Sequence, residues 1–125
     1  MRLRREHVAA AQAAVFVTSG LWPLVSLKTF EAVTGPKLEG WLVKTVGLLL
    51  TSVGAGLALA AWRGRVSDEM ALTGAASAAA LTAIDLRYGG SGRISPVYLA
   101  DAALESVWIV GWLLTARSAR AVENP

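Results

Sequence analysis

The segment Ser95-Pro96-Val97-Tyr98-Leu99-Ala100-Asp101-Ala102-Ala103-Leu104-Glu105-Ser106-Val107-Trp108-Ile109-Val110-Gly111-Trp112-Leu113-Leu114 most constrains what this chain can fold into. It is long enough to cross a bilayer as a helix, which takes about 20 residues, yet it carries two carboxylates. An ionised carboxylate near the bilayer centre costs at least ~2.5–3.5 kcal/mol on insertion scales, so such a group faces a bundle interior and finds a partner there. Pro96 suits the first helical turn, where its missing N–H has no partner to lose, and Ser95 before it suits the N-cap. The span is therefore expected over about 96–116. Asp101 and Glu105 are four apart and share one helix face, which Trp108 and Trp112 continue one and two turns further on.

The rest of the chain reads as partners for that helix. Hydrophobic residues make up 54% and charged residues 17%, far from the soluble average. The expected fold is all-α: one integral membrane domain over residues 1–125, a four-helix up-down bundle with spans at about 8–27, 41–62, 70–87 and 96–116. The first span follows Arg2, Arg4 and Arg5, and it is too long for a signal peptide and lacks a small-residue cleavage site. Trp22 and Pro23 lie near its end, where a kink is expected. Gln12, Ser19 and Ser26 mark a polar side, read equally as an inward face or as small polar residues easing helix packing. The second span has Trp41 and Trp62 at its ends, at the two headgroup levels, and Gly47, Thr51, Gly54 and Ala58 as its packing face. The third is Ala-rich and only weakly apolar, so its insertion leans on its neighbours; Ser67 or Asp68 is its expected N-cap. Between the first two spans, residues 27–40 form a plain loop or a short interfacial helix anchored by Phe30 and Val33.

Positive charge sets orientation. Arg2, Arg4, Arg5, Arg63, Arg65, Arg117 and Arg120 fall on one side against Lys28, Lys37, Arg87 and Arg93 on the other, which favours both termini in the cytoplasm. The charged residues within or at the edge of spans then share the outer leaflet: Lys44, Asp85, Arg87, Asp101 and, deepest, Glu105. Such one-sided clustering is what an outward-facing acidic pocket would produce. The alternative is a structural Asp101–Glu105 pair hydrogen-bonded within its surroundings. Lys44 either snorkels to the headgroups or turns inward to an acid. Three acids (Asp85, Asp101, Glu105) face at most two bases, and the deepest carboxyl, Glu105, is expected to be neutral near pH 7.

Other chemistry is disfavoured. There are no cysteines and one histidine, His7, so neither a Cys- nor a His-rich metal site is expected, and no cofactor is implied. The basic residues flank apolar spans and form no stripe, so nucleic acid is not an expected partner. No P-loop, dinucleotide fingerprint or nucleophile elbow occurs; Gly89-Gly90-Ser91-Gly92 reads as a turn.

Three segments carry a resemblance: Phe30-Glu31-Ala32-Val33-Thr34-Gly35-Pro36-Lys37, Trp41-Leu42-Val43-Lys44-Thr45-Val46-Gly47 and Gly92-Arg93-Ile94-Ser95-Pro96-Val97-Tyr98-Leu99-Ala100-Asp101-Ala102. Through them most of the chain resembles a group of short, uncharacterised bacterial four-span inner-membrane proteins. The resemblance implies a multi-pass protein of the bacterial inner (cytoplasmic) membrane and brings no activity with it.

The leading functional expectation is a pocket for a small, largely apolar molecule, with Glu105 and Asp101 at its polar end, Asp85 and Lys44 beside them, and Trp22, Trp108 and Trp112 as walls. Conversion of the bound molecule is neither required nor excluded. A proton-coupled transporter or channel is the first alternative; it would be a homo-oligomer, since four short helices enclose little volume. A structural or accessory subunit is the second.

Overall fold

The computed structural model describes the backbone of residues 3–123 and the side chains of residues 3–116. Arg2 and the side chains of Arg117 and Arg120, which entered the charge count, lie outside the described residues. The chain is all-helical: α1 (Arg5–Val25), α2 (Leu27–Thr34), α3 (Gly40–Arg63), α4 (Asp68–Ile84) and α5 (Val97–Glu123), with a π-helical turn, Asp85–Gly89, continuing α4. No strand occurs among the described residues.

Three helices are long and apolar enough to cross a membrane: Arg5–Val25, Gly40–Arg63 and Val97–Ala116. Their outward positions fit hydrocarbon, since Leu48, Leu49, Leu59, Val107, Val110, Leu113 and Leu114 are all exposed. On a soluble monomer such a surface would be an association hazard. Trp41 and Trp62, both exposed, mark the two ends of α3. The expected third span, 70–87, falls on α4 and its π turn; α4 itself has 17 residues and is not among the three membrane-length helices.

Helix boundaries follow local chemistry. Ser26 ends α1, donating its N–H to the Trp22 carbonyl at 2.8 Å, and starts α2, its Oγ accepting the Thr29 N–H at 3.3 Å. Residues 27–40 thus take the short-helix alternative. Gly64, at φ 66°, closes α3 in the left-handed conformation that glycine adopts without a Cβ penalty. Ser67 caps α4 by accepting the Met70 N–H at 3.1 Å. Before α5, Ser95 Oγ accepts the Val97 N–H at 3.3 Å, which places the helix start at Val97, one residue beyond the expected boundary.

Two hairpins result. In one, α1 packs along α3; in the other, α4 and its π turn pack on α5. The first is held by backbone proximity: a Cβ on Gly20 or Gly47 would stand 2.5 Å from the other's carbonyl oxygen. Gly54 lies buried beneath Phe16 and Val17, whereas Ala58, expected on the same face, is exposed. The hairpins join at the end carrying the amino terminus. There the buried Gln12 accepts the Trp112 Nε1–H at 2.7 Å and donates to the Gly74 carbonyl at 2.9 Å, linking α1, α5 and α4. Arg5 adds a bond to the Val66 carbonyl at 3.1 Å and an ion pair with Asp68 at 2.9 Å.

Candidate functional site

At the opposite end, where α2 crosses over, the hairpins part around a cavity of about 480 Å³. Its walls are mostly apolar. Val15, Phe16, Trp22 and Pro23 come from α1, Val43, Val46 and Leu50 from α3, and Leu81 from α4. Phe30, Val33 and Thr34 of α2 roof it, and Val97, Tyr98 and Leu104 of α5 complete it.

Into this apolar space the α4–α5 hairpin sets three carboxyls, those of Asp85, Asp101 and Glu105. Asp101 and Glu105 share a face of α5 by their spacing of four. Asp85 reaches the same wall through the π turn. Within that wider turn Asp85 and Gly89 are buried while Leu86, Arg87 and Tyr88 between them are exposed. Gly89 lets the turn close on α5: a Cβ there would stand 3.2 Å from Leu99 Cδ2. π-helical turns of this kind recur at functional sites.

Burial here is severe. Glu105 is 2% exposed and Asp85 3%, and the Oε2 of the first and Oδ2 of the second have no hydrogen-bond partner. Asp101, half-buried, stands close to both, within side-chain hydrogen-bonding reach of the Asp85 carboxyl and near enough to Glu105 for the two groups to interact. Buried polar atoms are nearly always paired, so two orphaned carboxylate oxygens on one cavity wall are a marked exception.

The expected bases do not reach these acids. Lys44 is exposed and absent from the cavity wall. Arg87 is exposed too, its guanidinium 5.6 Å from the Tyr88 ring centroid. The cation that does line the cavity is Lys37, which sequence reasoning placed only in the loop. Its Nζ donates to the Thr34 carbonyl at 2.9 Å, the Gly35 carbonyl at 2.7 Å and Thr34 Oγ1 at 3.3 Å. It also lies 5.2 Å from the Tyr98 ring centroid and 5.9 Å from that of Phe30. Lysine at a helix carboxyl end is favourably placed against the last carbonyls, and no ion pair joins it to the cavity acids.

The tryptophans divide. Trp22 lines the cavity, packs edge-on against Phe30 at 5.3 Å and donates its indole N–H to Thr29 Oγ1 at 2.9 Å. Trp108 and Trp112 are buried in the core beyond the cavity floor. They share Glu105's helix face, but at their depth α1 and α4 close upon it, and Trp112 serves the Gln12 link instead. Tyr98 and Thr34 also escaped sequence reading; Phe30 and Val33 were visible as apolar anchors of the loop. Among the described residues, no group of three or more His, Cys, Asp or Glu is placed to hold a metal ion.

No protein-family model, curated protein or solved structure matches the chain.

Proposed function

We propose that the chain is a four-span protein of the bacterial inner membrane, with both termini cytoplasmic, whose cavity opens toward the outer leaflet and binds a small, largely apolar molecule. In this reading α4 and its π turn make the remaining crossing, sheltered by packing on α5. Arg5, Arg63 and Arg65 then lie on the cytoplasmic side, as the positive-inside rule requires.

One observation carries the binding reading: an apolar cavity of about 480 Å³ contains the buried, partnerless oxygens of Asp85 and Glu105. The volume lies within the range of about 300–1,000 Å³ usual for small-molecule sites, whose apolar walls supply affinity and whose few polar groups orient the guest. A bound molecule with a polar end would satisfy the orphaned oxygens while its body covers the walls.

Native mass spectrometry of the protein gently extracted from its own membrane tests the proposal, with Glu105→Gln prepared alongside. The expected result is a reproducible small-molecule adduct on the wild type that is lost from folded Glu105→Gln. Absence of an adduct from both would overturn it. The same spectra count the copies in the assembly.

A further inference from the structure

Building on that binding site, we infer that its ligand is an organic amine: an apolar body bearing a protonated, N–H-carrying head that lodges among Asp85, Asp101 and Glu105. The inference rests on what the acids lack. Three carboxyls line one wall, and the bases that could have neutralised them, Lys44 and Arg87, are turned to the exterior. Lys37 is held by the carbonyls and hydroxyl at the end of α2. The wall therefore presents carboxyl oxygens with neither a cation nor a hydrogen-bond donor from another side chain at the orphaned atoms, and a cation lodged among them would favour their ionised form.

An ammonium head supplies both missing elements. It carries up to three N–H donors, so one head can serve both orphaned oxygens and Asp101, through charge-assisted bonds roughly twice as strong as neutral ones. A hydroxyl has one proton to give and leaves an orphan behind. A bare metal ion is a poor fit, because the acids do not form a metal-holding group.

The aromatic roof already holds a cation of the chain, so the guest's charged head is placed at the carboxyls below it and not among these rings. The Lys37 ammonium already lies 5.2 Å from the Tyr98 centroid and 5.9 Å from that of Phe30, within the roughly 6 Å at which a ring face attracts a cation. Trp22 stands beside Phe30 on the same side of the cavity.

The test compares two probes of matched shape, phenethylamine and phenethyl alcohol, by titration calorimetry on the full chain in phosphatidylcholine nanodiscs, with empty nanodiscs as the blank. The wild type is expected to bind the amine at least about tenfold more tightly than the alcohol. Glu105→Gln and Asp85→Asn should each weaken amine binding by about tenfold while leaving the alcohol within about twofold. Equal affinity of the wild type for both probes would overturn the amine inference and leave the apolar pocket standing. Binding of neither probe would count against pocket and amine together. Amine binding that persists in both variants would place the ammonium away from these carboxyls and also overturn the inference.

Discussion

Gly20 and Gly47 meet backbone to backbone where α1 crosses α3, so closely that a Cβ on either would stand 2.5 Å from the carbonyl oxygen of the other. Neither neighbour is a side chain that could swing aside. Gly47→Ala should force the helices apart and cost about 1–3 kcal/mol, the usual range for overpacking. Thermal unfolding in detergent, followed by circular dichroism, checks this; an unchanged midpoint would contradict so close a crossing.

The link from Trp112 through Gln12 to Gly74 holds the two hairpins together at the other end. Gln12→Leu leaves the Trp112 indole N–H without its partner and the Gly74 carbonyl with only its bond inside α4, at an expected cost of about 1–3 kcal/mol for the stranded donor. Trp112→Phe removes one bond and also loses ring area. A double-mutant cycle on the pair should return a coupling of about 0.5–3 kcal/mol, and strict additivity would show that the link does not act as a unit.

Buried carboxyls without partners burden a fold, so the variants proposed to weaken binding should not harm stability. Asp85→Asn and Glu105→Gln preserve shape, remove the capacity for charge and bring an N–H donor to the wall. Each is expected to hold or raise the unfolding midpoint of the ligand-free protein, by up to about 0.5–2 kcal/mol, as at other sites where function and stability conflict. A clear loss of stability would identify the carboxyls as structural supports.

Topology is open to direct labelling because the chain has no cysteine. With four crossings, Pro36→Cys and Ser91→Cys should react with an impermeant maleimide added to intact cells, and Arg65→Cys only after lysis. If α4 does not cross, Arg65→Cys and Ser91→Cys will label alike.

The parts legible in sequence are those governed by periodicity and transfer cost. Asp101 and Glu105 had to share a face by their spacing, and an apolar helix carrying both had to turn that face toward protein. Asp85 could be placed at the right end of its helix, but its inward turn depends on the π segment, which no residue pattern announced. Lys44 lies one turn inside its span, close enough to a headgroup level for its long side chain to point outward; sequence position does not separate that from an inward ion pair. Trp108 and Trp112 show a further limit. A helix face extends the whole length of the helix, whereas a cavity ends where neighbouring helices converge, and that convergence depends on Gln12, Gly74 and the other hairpin. Lys37 was hidden because its shortest bonds go to backbone carbonyls, which every sequence possesses.

The Gln12 link has a mechanical consequence. The glycine crossing brings the backbones of α1 and α3 into direct contact, so that pair forms one beam. The α4–α5 hairpin is fastened to the beam at the Gln12 end and, at the other, borders the cavity, α2 and, through Ser95 and Tyr98, the segment around Gly35 and Lys37. The molecule is thus built like a pair of tongs: any widening of the cavity would pivot about Gln12, and all three acids would ride on one arm.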